Sequence, residues 1–127
     1  MTVRVLVADD QAPFLRAARS VLDAAPDFEL VGDARSGEEA VALADSLRPD
    51  LVLMDIAMDG IGGIEAARSI ATACPGTITF LLSTYREQDL PAQARTCGAA
   101  AYLHKSDFCA PVLRALWDEH AYPVSAR

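Results

Sequence analysis

Five short runs of β-branched and aliphatic residues recur along this chain at nearly equal intervals, and that rhythm restricts its fold more than any other feature. The runs are Val3–Ala8, Glu29–Ala34, Leu51–Met54, Thr77–Leu82 and Ala100–Leu103, with successive starts 22 to 26 residues apart. That interval is the length of one strand–helix unit. Segments such as VRVLV, LVLM and TITFLL are almost continuously apolar, as strands covered on both faces must be.

The stretches between the runs have helical periodicity. Leu15, Ala18, Leu22 and Ala25 recur every three or four residues and predict a first helix, with Pro13 in its opening turn. Ser36 and Glu39 have capping-box spacing ahead of a second helix, whose apolar face is Ala40, Leu43, Ala44 and Leu47. Ile64, Ala67 and Ala71 mark a third. A fourth, around Leu90–Thr96, is weakly patterned and contains Pro91. A last helix is expected from about Asp107, with Val112, Leu113 and Leu116 inward and Pro111 delaying its first regular turn. Strands alternating with helices call for an open, doubly wound parallel α/β sheet with right-handed crossovers. A length of 127 residues suits five units, not the eight of a barrel. Residues 1–120 are expected to form the domain, and residues 121–127 a tail or the start of a linker.

Composition removes several function classes. At 52% apolar and 23% charged residues the chain is too apolar to be disordered. Eleven basic against 18 acidic side chains give a net charge of −7, which argues against this segment gripping a nucleic-acid backbone. Cys74, Cys97 and Cys109 are odd in number and widely spaced, which suits a reducing compartment better than a disulfide framework. No run reaches the length of a signal-peptide core or a membrane span. The expectation is a cytoplasmic domain with no membrane attachment.

Polar residues collect after particular strands. Asp9 and Asp10 follow the first, Asp55 the third, Ser83 and Thr84 the fourth, and Lys105 the fifth, while the second runs through Asp33 and Ala34 into an ordinary helix cap. In a parallel sheet these carboxyl ends share one edge, where ligands bind at the topological switch point. An order of 2-1-3-4-5 would gather all of these groups in one pocket and leave the bare strand outside it. Two carboxylates 4 Å apart repel by about 4 kcal/mol at an effective dielectric near 20, so three of them need a cation or a proton. All-oxygen donors favour Mg²⁺ or Mn²⁺. A hydroxyl and an ammonium opposite the acids suit a phosphoryl group, and a carboxylate can act as the nucleophile that receives it. Taken singly, Asp9 and Asp10 read as helix caps, Asp55 as a loop acid, Ser83 as a turn residue and Lys105 as a solvated charge. Their joint placement is what argues for chemistry.

Four segments, VLVADDQ, LVLMDIAMDGIGGIEAAR, LLSTY and AAAYLHKSD, resemble the receiver domain of bacterial two-component response regulators, over residues 3 to 119. The intervals of 45 residues from Asp10 to Asp55, 28 to Ser83 and 22 to Lys105 are similar to those of the subfamily that carries a LuxR-type helix-turn-helix output domain. The resemblance implies a flavodoxin-like (βα)5 sandwich with a five-stranded parallel sheet of order 2-1-3-4-5. It implies that Asp55 is the phosphoacceptor, served by a sensor histidine kinase and by Mg²⁺, or Mn²⁺ in its place. Asp10 and Asp55 would ligate the metal directly, Asp9 through water, and Ala57 through its backbone carbonyl. Ser83 and Thr84 would bind the phosphoryl group, Lys105 would pair with it, and Tyr102 would rotate inward as Ser83 moves. The face of the fourth helix, fifth strand and fifth helix would shift, with homodimerisation on phosphorylation. DNA would be reached only through an output domain absent from this chain.

The chain departs from the common receiver pattern at Asp59, where proline is usual, and at Gly62, where an acid is frequent. Ser83 replaces the commoner threonine, and Ser106 replaces the proline after Lys105, so no cis bond is assumed there. Ala57 and Tyr85 would flank the phosphoryl group, and neither side chain can position an attacking water, which predicts a long-lived phosphoryl state. An aspartate-nucleophile phosphatase would need a second acid where Ala57 stands. A flavin binder would need a hydroxyl- and glycine-rich phosphate loop where the chain has ADDQ. Two rivals remain: a stand-alone receiver that acts by protein contact, against which the subfamily likeness argues, and a receiver-like interaction module that takes no phosphate, which the intact acids together with Ser83 and Lys105 oppose.

Overall fold

In the computed structural model, which describes residues 2–121, the five runs form one parallel sheet of order β2-β1-β3-β4-β5. The strands are β1 (Val3–Ala8), β2 (Phe28–Ala34), β3 (Leu51–Asp55), β4 (Ile78–Ser83) and β5 (Ala101–His104). Four helices accompany them: α1 (Ala12–Asp23), α2 (Gly37–Leu47), α3 (Gly62–Ala73) and α4 (Ala110–Ala121). Every residue of β3 is buried, in keeping with its central place and its unbroken apolar run.

Alternation along the strands divides the core in two. Val5, Val7, Leu53, Phe80 and Leu82 face Leu15, Ala18 and Leu22 of α1 and Leu113 and Trp117 of α4. Leu6, Val52, Met54 and Leu81 face Ala40 and Ala44 of α2 and Ala66, Ala67 and Ile70 of α3. The alanines let α2 and α3 lie close to each other and to the sheet. At the start of α2, Ser36 Oγ accepts a hydrogen bond from the Glu39 amide at 3.1 Å. Glu39 reaches back to the amide of Arg35 at 2.8 Å, one residue before the usual partner of a capping box.

Two expectations need correction. No α-helix forms around Leu90–Thr96; two 3₁₀ turns, Glu87–Asp89 and Ala92–Arg95, stand in its place. From Thr84 to Ala100 only Ala94 and Cys97 are buried, so no apolar stripe exists to stabilise a longer helix, and Pro91 cannot donate to one. The last helix starts at Ala110, not Asp107, because Lys105–Asp107 is itself a 3₁₀ turn. The third helix forms where Ile64, Ala67 and Ala71 mark it, and Ala71 sits over Gly98, where a Cβ would lie 2.7 Å from the alanine methyl. Trp117, which the apolar pattern did not single out, is buried edge-on to Phe28, with ring centroids 6.4 Å apart. The proposed tail falls outside the described residues except for its first, Ala121, which ends α4.

Candidate functional site: an acidic pocket at the strand ends

The carboxyl ends of β1, β3, β4 and β5 meet at one edge of the sheet, with β2 outside the group. Carboxylate oxygens of Asp9, Asp10 and Asp55 all lie within 4.8 Å of one another. Asp9 is fully buried. Its Oδ1 accepts the amide of Gln11, the N-cap residue of α1, at 2.8 Å, a local turn ahead of the helix; no side chain caps α1 itself. Its Oδ2 is buried without a hydrogen bond of good geometry and faces the Lys105 ammonium at 2.6 Å. Asp10 is half-buried.

Asp55 ends β3 with 4% of its surface exposed. Its Oδ1 lies 3.6 Å from Lys105 Nζ and accepts a long hydrogen bond, 3.4 Å, from the Ala57 amide. Burial, and next the Asp9 carboxylate, push the Asp55 carboxyl up to about 6; Lys105 and the Ala57 amide oppose the rise, and Asp10 adds a little to it. Lys105 is positioned by a residue that sequence reasoning missed: Phe14 of α1 lies under the ammonium, 4.6 Å from nitrogen to ring centre.

The loop after Asp55 is held by close packing. A Cβ on Gly63 would lie 1.9 Å from the Asp55 carbonyl oxygen, so only glycine lets α3 begin against the phosphoacceptor candidate. Gly60 and Gly62 have φ of +80° and +81°, which turns the loop sharply and leaves Asp59 exposed. The first turn of α2 clamps this loop, since Glu38 Oε1 accepts the Ile61 amide at 3.0 Å and the Gly37 amide donates to the Asp59 carbonyl. Glu38 is a second residue the sequence did not reveal.

Ser83 forms the opposite wall. It is buried, and its Oγ accepts the Tyr85 amide at 2.8 Å. Asp55, Ala57, Ser83, Thr84, Tyr85 and Lys105 line a pocket of about 510 Å³ that also reaches Phe14. Tyr102 is not in it. Half-buried on the flank of β5, its hydroxyl donates to the Ala94 carbonyl at 2.6 Å, and it borders a second cavity of about 450 Å³ that Ser83 also touches. Burial is the main cause that pushes the Tyr102 phenol above its usual range. The Lys105–Ser106 peptide is trans.

These residues fit a hard divalent cation. The donors are all oxygens, the three clustered acids have one ammonium that reaches Asp9 and Asp55, and Asp9 Oδ2 is buried with only that ammonium opposite it.

Comparison with known proteins agrees with this geometry. Residues 5–114 match the response regulator receiver domain. The transcriptional regulatory protein LiaR of Bacillus subtilis is 34% identical over 114 residues, 90% of this chain and 54% of that protein. The response regulator UvrY of Escherichia coli is 38% identical over 103 residues, 81% of this chain and 47% of its own length. The chain thus spans about half the length of these curated relatives. The signal receiver domain of the putative response regulator NarL from Mycobacterium tuberculosis superposes with a TM-score of 0.85 at 29% identity, covering 94% of this chain and 96% of that one. With its sheet order, acidic pocket and these relatives all in agreement, the chain belongs to the response regulator receiver domain family.

Proposed function

We propose that this chain is the phosphoacceptor part of a two-component phosphorelay and that Asp55 takes the phosphoryl group from a sensor histidine kinase. The observation that carries the reading is a buried Asp55 clustered with two further acids and sharing one pocket with Lys105 and Ser83. With its carboxyl near 6, Asp55 is mostly ionised at neutral pH and keeps a lone pair for attack on phosphorus. The P–N bond of the donor phosphohistidine breaks as the new O–P bond forms. The imidazole nitrogen keeps the electron pair and takes a proton from solvent. The domain is a signalling module that assists its own phosphorylation and dephosphorylation rather than an enzyme acting on a separate substrate.

Asp10 and Asp55, Asp9 through water, and the Ala57 carbonyl would hold Mg²⁺, or Mn²⁺ on the same donors. The ion would supply positive charge to the equatorial phosphoryl oxygens. Lys105 rests on Asp9 and has to swing to pair with a phosphoryl group on Asp55. Ser83 and Thr84 offer a hydroxyl and backbone groups to the same oxygens. As Ser83 moves, the cavity it shares with Tyr102 gives the ring room to turn inward. The surface from Thr84 to Ala100, with β5 and α4, then carries the change to a homodimer or an output domain. Relatives named as transcriptional regulatory proteins, of which the matched part is only about half, support a DNA-binding output region in the protein this segment belongs to. The net charge of −7 supports leaving DNA contact to that region. No helix among the described residues is long and apolar enough to cross a membrane, and a cytoplasmic setting suits exchange with a kinase.

Intact mass after incubation with acetyl phosphate, with and without Mg²⁺, tests the reading. One added phosphoryl group that requires both Mg²⁺ and Asp55 is the expected result. An adduct that persists in Asp55→Asn, or none where Mg²⁺ demonstrably binds, would overturn it.

A further inference from the structure

We propose that His104 is a positioning residue of the switch, a tether that holds the phosphoryl-binding end of β4 in its resting place. The inference rests on the phosphoacceptor reading above. Its ground is the order of the strands. Asp55 of β3 is the register partner of Leu82, and His104 of β5 is the register partner of Ser83. The end of β4 therefore lies between the phosphoacceptor on one side and His104 on the other.

The His104 ring bonds at both nitrogens. Nδ1 lies 3.1 Å from the Ser106 amide and 2.7 Å from Ser106 Oγ, and Nε2 lies 2.9 Å from the Thr84 carbonyl oxygen. A backbone amide only donates, so Nδ1 is the acceptor. In the neutral ring the proton is then on Nε2, which donates to Thr84. One side chain thus joins the turn after β4 to the turn that carries Lys105. In the same turn Ser83 Oγ is held by the Tyr85 amide.

A phosphoryl group on Asp55 draws Ser83 and Thr84 toward β3, which is away from β5. That displacement stretches the Nε2–Thr84 bond and leaves the Ser106 bonds intact. The resting state keeps a hydrogen bond that the phosphorylated state gives up, so His104 opposes activation. Its effect is of the size of one net hydrogen bond, about fivefold in an equilibrium.

Two substitutions separate the halves of the tether. In His104→Asn the carboxamide oxygen overlays Nδ1 and keeps Ser106, but nothing reaches Thr84. In His104→Gln the amide nitrogen overlays Nε2 and keeps the donor to Thr84. Affinity for beryllofluoride, a phosphoryl mimic, is measured with saturating Mg²⁺, and Mg²⁺ affinity is measured separately without it. His104→Asn is expected to bind beryllofluoride about fivefold more tightly, with His104→Gln within twofold of wild type and Mg²⁺ affinity unchanged in both. The tether is overturned if His104→Asn binds no more tightly than wild type. It is also overturned if His104→Gln matches the gain, or if Mg²⁺ affinity shifts by the same factor. Wild type binding no beryllofluoride and accepting no phosphoryl group would overturn the phosphoacceptor reading, and this proposal with it.

Discussion

Ionised Asp55 works against the fold, and Asp55→Asn measures by how much. In the unfolded chain its carboxyl titrates near 3.8; in the folded domain burial and the Asp9 carboxylate raise it to about 6, against the pull of Lys105. Each tenfold change in proton affinity is worth about 1.4 kcal/mol, so the ionised carboxylate costs the folded state about 3 kcal/mol. The sign follows from which state holds the proton. Between about pH 4 and 6 the folded chain binds it more tightly than the unfolded one, so this contribution to stability falls as pH rises through that window. Above it the cost is fully present, and below it there is none. Asparagine keeps the shape and an oxygen to accept the Ala57 amide but carries no charge. In urea titrations with chelator, Asp55→Asn is therefore expected to be more stable than wild type at pH 7.5 by about 3 kcal/mol. That corresponds to a midpoint shift of about 1–2 M. At pH 4 the difference should fall below about 1 kcal/mol, and saturating Mg²⁺ at pH 7.5 should narrow it, because wild type has the better cation site. Equal or lower stability of the variant at pH 7.5, or a gain that does not change with pH, would refute the reasoning.

Three further outcomes follow from the same pocket. Lys105→Met removes the cation that rests on Asp9, so isothermal titration should show Mg²⁺ binding at least about tenfold tighter while metal-free stability falls by about 3 kcal/mol; unchanged or weaker affinity contradicts this. Gly63→Ala forces a methyl into the Asp55 carbonyl and should cost about 3 kcal/mol or more in urea unfolding, a loss under about 1 kcal/mol counting against the close approach. Ala57 and Tyr85 line the pocket without a carboxamide or acid to place a water, so the phosphoryl group on the isolated chain should persist for minutes or longer; a half-life of seconds by mass spectrometry would show that another group positions the water.

The parts of the fold that were legible in the sequence are those governed by local pattern. Apolar runs such as LVLM announce strands buried on both faces, and polar residues at their ends brought Asp9, Asp10, Asp55, Ser83 and Lys105 together once the strand order was assumed. Segments stabilised by little of their own were misread: the residues around Pro91 are too polar to sustain the helix that the βα rhythm suggested. Partners far apart in sequence were also hidden. Glu38 reads as an acid suited to a helix N-terminus, and nothing local shows that it bonds to an amide 23 residues on. Phe14 looks like one more apolar residue of α1 until Lys105 is placed above it. His104 did leave a signal, since it interrupts an apolar run between Tyr102 and Lys105. Its partner Thr84, however, belongs to a different strand end.

The weakly anchored stretch from Thr84 to Ala100 has a consequence for how stability is distributed over the molecule. With only Ala94 and Cys97 buried and two isolated 3₁₀ turns, it is expected to open at a small fraction of the free energy needed to unfold the central sheet. Its amides should exchange with solvent long before those of β3, where every side chain is buried. Two or three charge-assisted hydrogen bonds to a phosphoryl group, each worth about 1.5–3 kcal/mol, are enough to redistribute such a segment among its conformations. The same energy would leave the scaffold that holds the acids unmoved. Helix-favouring or helix-breaking substitutions on the exposed side of this stretch would therefore retune how far the response goes at a given level of phosphorylation and, by the same coupling, how tightly the pocket at Asp55 holds a phosphoryl group.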